Sequence, residues 1–198
     1  NKYKLIFNCE NNNLITKKFF YIKNIKNYNS KAYITIIRHK KINNNFTASQ
    51  IFTKIGPIAF LPLSPTETSV VYSIKGEKKI NLESLIKKHN IKYEIIEIYK
   101  YGSFNLKSLN LRTYRYENIL AFGDLLHKLH PLAGQGFNMT IRDIKEIYKL
   151  IKSRIDNGLD LDNSILIDFE NTTKHKNYIF LNGIDFIYEI FNFENKFD

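Results

Sequence analysis

The stretch ENILAFGDLLHKLHPLAGQGFNMTIRD, residues 117–143, combines an apolar strand pattern, a glycine turn and the start of a helix. Its first part, residues 117–124, is a predicted buried strand that ends in Gly-Asp. Gly134 and Gly136 follow in a tight turn, and apolar residues then recur at helical spacing. In α/β sheets, ligands bind beyond the carboxyl ends of the strands, often where a glycine turn opens a helix. This stretch therefore predicts an α/β ligand site.

The residues of this turn suit a ligand that has hydroxyl groups and a ring that gains negative charge. Asp124 directly follows the apolar strand, and its ionised carboxylate can only accept hydrogen bonds, for example from ligand hydroxyls. Gly134 and Gly136 let the backbone approach a flat ligand. The helix that begins near Gly136 directs its free N–H groups and the positive end of its dipole toward the turn.

The region before residue 100 predicts a mostly antiparallel sheet with one short helix. Two apolar runs flank a Pro-Thr-Glu-Thr connection and form a predicted hairpin. The other predicted elements follow from runs of β-branched and aromatic residues or from helical spacing. They are strands at 2–7, 32–39 and 92–99, the hairpin of 58–64 and 69–74, and a helix at 82–90.

The region after the glycine turn predicts two helices. Residues 156–164 contain signals that end one helix and begin another. The second helical segment follows, and we expect a break near Asn182–Gly183. The first helix carries an apolar stripe that we expect to pack on a flat surface. Its residues are Met139, Ile141, Ile144, Ile147, Tyr148 and Ile151.

The chain is basic, with 30 Lys and Arg against 19 Asp and Glu and a formal net charge of +11. The lysines are scattered, and Lys, Asn and Ile are all abundant, so we favour a compositional bias of the coding sequence as the cause. An anionic membrane surface is the second interpretation, and a nucleic-acid partner is the least supported. A hydrophobic content of 43% is ordinary for a globular chain of one domain or two lobes.

The single cysteine and the lengths of the apolar runs bear on the compartment. Cys9 rules out a disulfide within the chain, fits a reducing compartment, and is expected to be a small buried hydrophobe. No apolar run approaches the length of a membrane span, and no secretory signal is visible. The expectation is a cytoplasmic protein.

Several polar residues near the turn have structural interpretations. His127 and His130 are expected to pack structurally, since no third metal ligand accompanies them. Asp143 is expected in the first turn of its helix, where an acidic residue satisfies the helix start. Arg142 is expected at the surface or in an ion pair.

The same stretch resembles the second FAD motif of the flavin-dependent aromatic hydroxylases, and most of all their ubiquinone-biosynthesis branch. The similar segments are LAFGD, HxxHPLAGQGFN and the following Arg-Asp, all within residues 118–143. Weaker similarity extends to GPIAFLPLS at 56–64 and to the segments at 168–177 and 182–192.

This resemblance implies an α/β (α+β) fold. The chain would be part of a FAD/NAD(P)-binding Rossmann-like domain with an inserted, mostly antiparallel β-sheet substrate domain and C-terminal helices. The implied boundaries are an FAD-domain segment at 1–18, the substrate domain at 19–105, an FAD-domain segment with the Gly-Asp motif at 106–155, and a helical tail at 156–198.

The resemblance also implies the cofactor site. Asp124 would bind the ribityl hydroxyls of FAD, and Gly123 would let the chain turn. The glycine turn would form the wall beside the flavin ring, and Phe137 and Asn138 would lie at its pyrimidine edge. No catalytic side chain and no metal are implied. The cofactor-binding residues would be Gly123, Asp124, Pro131, Gly134, Gln135, Gly136, Phe137 and Asn138.

The implied activity is hydroxylation of the aromatic ring of a prenylated phenol in ubiquinone biosynthesis. A flavin hydroperoxide would be the oxidant, formed from O2 with electrons from NAD(P)H or another donor. The implied partners are the phenolic substrate and either a membrane face, bound peripherally, or a multi-subunit biosynthetic complex, with no nucleic acid.

The chain departs from the family pattern at three places. It has no Gly-x-Gly-x-x-Gly loop, its residues 8–14 replace Gly-Ala-Asp-Gly-x-x-Ser, and Leu125–Leu126 adds bulk where the family has two alanines. The change to Asn11 requires that a left-handed conformation suffices there. We expect the chain to be the C-terminal half of a longer hydroxylase. The alternatives are a truncated, non-catalytic scaffold and a flavin hydroxylase for another aromatic substrate.

Overall fold

The computed structural model describes residues 3–76, 80–129 and 135–194. The strands are β1 (Ile6–Asn8), β2 (Lys23–His39), β3 (Ser49–Thr53), β4 (Gly56–Pro62), β5 (Glu67–Lys75), β6 (Ile95–Ile98), β7 (Gly102–Leu111), β8 (Arg115–Tyr116), β9 (Ile119–Ala121) and β10 (His127–Lys128). The helices are α1 (Leu14–Phe19), α2 (Leu82–His89), α3 (Gln135–Asp156) and α4 (Ser164–Glu194).

Backbone contacts divide the described chain into two compact units. The first unit holds the residues up to 26 and those from 107 to 189, and the second holds 27–106 and the residues from 190 onward. The boundary between residues 26 and 27 falls within strand β2, and the boundary between residues 106 and 107 falls within strand β7.

The first unit contains a small sheet in the order β1, β9, β8. Strands β1 and β9 run parallel, and β8 pairs antiparallel with β9. All three residues of β9 are buried, as expected for a strand covered on both faces. The hydrophobic core of the first unit includes Leu120, Leu125 and Phe169, each fully buried. Each such side chain stabilises the fold by about 1.5–3 kcal/mol through removal of apolar surface from water.

The second unit is built on an antiparallel sheet in which β2, β5, β4 and β3 are neighbours in that order. Strand β6 pairs with the C-terminal end of β2, where Ile98 lies opposite Ile37. Helix α2 contributes Leu82 and Ile86 to a core that also contains Ile58 and Tyr72. The helix begins at an Asn81 side chain that accepts a hydrogen bond from the backbone N–H of Ser84.

The mixed α/β fold with an antiparallel sheet and C-terminal helices is confirmed. The predicted hairpin is β4 and β5, paired antiparallel with Ala59 opposite Val71. The predicted helix at 82–90 is α2, and the helix after the glycine turn is α3. The strand predicted at 32–39 is longer than expected, because β2 begins at Lys23.

The expected break near Asn182–Gly183 is wrong, since α4 runs without interruption from Ser164 to Glu194. Leu181, Ile184 and Tyr188 are buried on one side of the helix and hold the glycine in helical conformation. Packing of the neighbouring apolar residues thus outweighs the weak helix propensity of glycine.

Gly183→Ala is expected to stabilise the protein. A Cβ atom there would meet no heavy atom within 4 Å, and alanine is favoured over glycine in a helix by about 0.8–1 kcal/mol. Thermal or urea unfolding of both proteins measures the difference. A lower stability of the variant would contradict an uninterrupted α4.

Within the described ranges, no helix is long and apolar enough to cross a membrane.

Candidate functional site

The Gly-Asp turn follows β9 at the carboxyl end of the parallel strand pair. Gly123 has φ +62°, a left-handed conformation that glycine adopts without steric cost. A short 3₁₀ turn, Gly123–Leu125, then presents Asp124 to solvent. Within residues 3–76, 80–129 and 135–194, no hydrogen-bond partner or ion pair engages the Asp124 carboxylate. The turn therefore offers an exposed acceptor group.

The carboxyl end of β1 lies beside this turn. Asn8 is opposite Ala121 in the parallel register, and the backbone N–H of Phe122 donates to the Asn8 carbonyl at 2.9 Å. Because parallel strands end at the same edge of a sheet, the segment after Asn8 and the Gly-Asp turn share that edge. This is the edge at which α/β sheets bind ligands.

A polar network that sequence reasoning missed shapes the segment after β1. The Asn8 side chain is buried and donates to the Thr16 hydroxyl at 2.8 Å. The Asn13 amide donates to the side-chain Oδ1 atom of Asn8 at 2.6 Å. Its own Oδ1 atom caps α1 by accepting from the Thr16 N–H at 2.8 Å. Asn13 three residues before a threonine is a recognisable N-cap pattern, but its contact with Asn8 depends on the fold.

Asn11 does not adopt a left-handed conformation, since the residues with positive φ other than glycine are Asn29 and Glu117 in the described chain. The replacement of the family's glycine by Asn11 therefore imposes no strain of the kind considered from sequence.

The expectation that Cys9 is buried is wrong, because its side chain is exposed. Cys9 follows the buried Asn8 at the end of a three-residue strand, so the alternation along the strand turns it outward. Neighbouring atoms still remove enough water from the sulfur to raise the pKa of the Cys9 thiol. A raised thiol pKa opposes a role as a nucleophile at neutral pH.

One thiol per chain is expected to react with a maleimide or disulfide reagent in the folded protein, without denaturant. The rate at neutral pH should be lower than that of a free cysteine, because the raised pKa keeps the thiol protonated, and it should increase as the pH rises through the folded pKa. Reaction that requires denaturant would show that Cys9 is buried.

The start of α3 lies on the other side of the glycine turn. Gln135 and Gly136 are half-buried, whereas Phe137 and Asn138 are exposed, with Phe137 at 73%. A Cβ atom on Gly136 would meet no heavy atom of the described residues within 4 Å. The proposed site residues Pro131 and Gly134, like His130, lie outside the described residues.

Asp143 is not in the first turn of α3, and that expectation is wrong. The helix already begins at Gln135, so Asp143 lies in its third turn, where it is buried. Its Oδ2 atom is 2.5 Å from Nε2 of the buried His127. Its other oxygen accepts from the Asn177 amide of α4 at 3.3 Å. His127 is thus buried and forms a hydrogen bond with Asp143 rather than apolar contacts alone.

Tyr114 lies beside this network. Burial is the main cause that raises the pKa of its hydroxyl. A hydrogen bond with Asn177 lowers this pKa, and the nearby carboxylates of Asp143 and Glu170 raise it. The hydroxyl also donates to Oδ1 of Asn110 at 3.3 Å. Tyr114 therefore stays neutral and acts as a hydrogen-bond donor.

Leu125 and Leu126 do not add bulk to an open ligand face. Both side chains are fully buried in the core of the first unit. In the 3₁₀ turn Gly123–Leu125, the Asp124 side chain is exposed and the Leu125 side chain is buried. One residue is thus available to a ligand while its neighbour packs in the core.

The apolar stripe of α3 divides into two faces. Met139 and Ile147 are buried, as predicted, but Ile141, Ile144 and Tyr148 are exposed at 46%, 46% and 62%. Helical spacing alone cannot separate these faces, because all five residues fall within one wide apolar arc.

Arg142 and His39 have different surroundings. Arg142 is at the surface, with its guanidinium 4.4 Å from the centre of the Phe180 ring. His39 is buried between the Thr68 hydroxyl at 3.0 Å and the Lys40 carbonyl at 2.8 Å. The part of the chain that the structure describes contains no cluster of His, Cys, Asp and Glu arranged for a metal ion.

These features fit a flavin dinucleotide. The exposed Asp124 carboxylate suits ribityl hydroxyls. Among the described residues, none lies close to the Cβ position of Gly123 or Gly136, which leaves room for a close ligand. The first N–H groups of α3 have no intrahelical partners and favour negative charge.

Comparison with known proteins identifies this arrangement. Residues 72–157 match the sequence model of the FAD binding domain family. The mitochondrial ubiquinone biosynthesis monooxygenase COQ6 of Dictyostelium discoideum is 25% identical to this chain. The alignment is 242 residues long, gaps included, and covers 95% of this chain. The chain is thus similar in sequence to the FAD binding domain family and to ubiquinone biosynthesis monooxygenases. The resemblance found in the sequence is thereby confirmed.

Solved structures show the same fold. The flavin-dependent brominase Bmp2 superposes with a TM-score of 0.73 over 98% of this chain at 12% identity. The probable FAD-dependent monooxygenase pqsL of Pseudomonas aeruginosa has a TM-score of 0.65 over 91% of the chain at 14% identity.

The chain spans about half the length of these proteins. It covers 49% of the Dictyostelium monooxygenase and 53% of each of the two solved chains.

Proposed function

We propose that the protein is an FAD-dependent monooxygenase that hydroxylates the aromatic ring of a prenylated quinone precursor in ubiquinone biosynthesis. The observation that carries this proposal is the exposed Asp124 carboxylate at the shared carboxyl edge of β1 and β9. Asp124 lies within the segment that matches the FAD binding domain family.

In this proposal each side of the turn has a separate role. The Asp124 carboxylate accepts hydrogen bonds from the ribityl hydroxyls, and Gly123 provides the left-handed turn that directs it outward. The N–H groups at the start of α3 favour the negative charge that a reduced flavin ring carries. The proposed cofactor-binding residues are Gly123, Asp124, Pro131, Gly134, Gln135, Gly136, Phe137 and Asn138.

The protein's own residues bind and orient, and the redox chemistry comes from bound FAD. Electrons come from NAD(P)H or another donor, one oxygen atom of O2 enters the substrate ring, and the other leaves as water. We assign substrate binding to the second unit, whose β4 and β5 form the hairpin similar to the family's substrate domain.

The test uses the natural polypeptide that contains these 198 residues. It is incubated with FAD, NAD(P)H, isotopically labelled O2 and a prenylated phenol, and the product is analysed by mass spectrometry. The expected product carries one labelled oxygen on the ring. Consumption of NAD(P)H without a hydroxylated product would exclude this phenol as substrate.

A hydroxylase for another aromatic substrate is the second candidate. Proteins of this fold include a flavin-dependent brominase, so the fold by itself does not select the substrate. Complementation of a quinone-deficient strain separates the two candidates, because only the ubiquinone enzyme restores quinone synthesis.

We also propose peripheral association with a membrane face. Tyr178, Ile179 and Phe186 of α4 are exposed at 58%, 68% and 65%, in a chain of net charge +11. Apolar side chains together with basic residues bind anionic lipid surfaces. The names of the similar proteins place them in mitochondria. Which membrane this protein would bind therefore depends on the compartment in which the quinone is synthesised.

Membrane association is measured by sedimentation with anionic and neutral lipid vesicles. Wild-type protein is expected to sediment with anionic vesicles, and Phe186→Ser together with Ile179→Ser should reduce the bound fraction severalfold. Equal binding of the wild type and this variant would place any lipid contact elsewhere.

A further inference from the structure

A buried histidine–aspartate pair and an asparagine join three segments of the first unit. His127 belongs to β10, Asp143 to α3, and Asn177 to α4. The His127 and Asp143 side chains are 1% and 2% exposed, and their Nε2 and Oδ2 atoms are 2.5 Å apart. The Asn177 amide donates to the second carboxylate oxygen at 3.3 Å. Both oxygens of Asp143 are thus occupied by hydrogen bonds from other elements.

The pair connects the two segments that carry the proposed FAD-binding residues. His127 follows Asp124 by three residues. Asp143 follows Gln135, the first residue of α3, by eight residues, which corresponds to about 12 Å along a helix axis. Contact between His127 and Asp143 therefore links the segment that carries Asp124 to α3.

Stability alone does not account for such a pair. Removing a carboxylate and an imidazole from water is costly, and apolar residues of similar volume often give equal or greater stability. Leu129, Met139 and Leu181, each two or four residues from a member of this network, form an apolar cluster, and apolar contacts are non-directional. Hydrogen bonds from two directions to one carboxylate fix both the rotation and the axial position of the helix.

We propose that His127 and Asp143 are positioning residues for the flavin. They hold the Gly-Asp turn and the start of α3 at a fixed separation, so that Asp124 and the α3 N–H groups reach one bound cofactor together. Asn177 supports the pair from α4 and fixes the carboxylate plane. This assignment rests on the proposed function.

The decisive experiment compares Asp143→Asn and His127→Leu with the wild type in the natural polypeptide. The dissociation constant for FAD is measured by titration well below the unfolding temperature. Both variants are expected to bind FAD about 10- to 100-fold more weakly, as is usual when a partner that orients a ligand-binding group is lost. His127→Gln, whose amide can still donate to Asp143, should recover most of the affinity.

Asp156→Asn is the matched control. Asp156 is on the same helix and pairs with Lys152 at 3.0 Å, but both side chains are 56% exposed. Its loss removes the same charge from α3 without affecting the buried pair. The control should bind FAD within twofold of the wild type.

A second readout needs no cofactor. Amide hydrogen exchange is measured for residues 123–126 and 135–140 in the FAD-free protein. Asp143→Asn is expected to speed exchange in both segments, and Asp156→Asn is expected to leave it unchanged. Should Asp143→Asn fail to fold, Asn177→Ala is measured in the same way. It removes the hydrogen bonds of Asn177 to Asp143 and to Tyr114 and leaves the His127–Asp143 contact in place.

The outcomes separate this proposal from the proposed function. Variants that unfold at lower temperature but bind FAD like the wild type would show a structural pair only, which overturns the positioning role. A wild type that does not bind FAD overturns the proposed function, and the exchange rates then still decide whether the pair couples the two segments. Unchanged exchange in Asp143→Asn overturns the coupling.

Discussion

Replacing Asp124 with Asn is expected to weaken FAD binding by about 10- to 100-fold, because a hydrogen bond to a charged group contributes about 1.5–3 kcal/mol. The substitution keeps the shape of the side chain and removes only its charge. The side chain is exposed and engages no described residue, so its loss leaves the internal contacts of the protein intact. Fluorescence titration with FAD measures the change, and thermal unfolding without FAD should be the same for both proteins.

Asp160→Asn serves as the control for this variant. Asp160 lies in the same unit and pairs with Lys4 at 3.1 Å at the surface. Exposed pairs of this kind contribute little, so neither FAD affinity nor stability should change measurably. Equal FAD affinity of Asp124→Asn and the wild type would remove Asp124 from the cofactor site.

Gly56→Ala is expected to destabilise the protein by roughly 1–3 kcal/mol or more, the usual range for steric overpacking in a well-packed region. A Cβ atom at Gly56 would lie 1.9 Å from the Ser73 carbonyl oxygen, and the residue has φ +138°, which other residues rarely adopt. Both the backbone of β4 and its neighbour β5 would have to move. Urea unfolding measures the loss.

Gly102→Ala is the matched control, because a Cβ atom there would meet no heavy atom within 4 Å and its φ is not positive. This variant should differ from the wild type by less than about 1 kcal/mol, as is usual for substitutions without a specific steric or polar cause. Similar stability of the two alanine variants would contradict the close approach of β4 to Ser73.

Local patterns were sufficient to predict much of the fold. The β4–β5 hairpin has two apolar runs with a short polar connection, and α2 has an Asn cap followed by apolar residues at helical spacing. Both kinds of element are specified by residues close together in the sequence. The Gly-Asp turn was predictable for the same reason, since it needs only a strand followed by glycine.

Contacts between distant residues were not predictable in this way. His127 and Asp143 are 16 positions apart, and the pairing of Asp143 with Asn177 spans 34. A single sequence carries no record of such partners, so Asp143 was interpreted from its place near a helix start. The continuity of α4 through Gly183 likewise depends on tertiary packing, which overrides local propensity.

Binding of FAD is tested by purifying the natural polypeptide and recording its visible absorption spectrum. The flavin is then released and quantified. The protein is expected to be yellow, with the bands of oxidised flavin and one FAD per chain. A folded, colourless protein that takes up no FAD on addition of excess cofactor would contradict the flavin site at Asp124 and the start of α3.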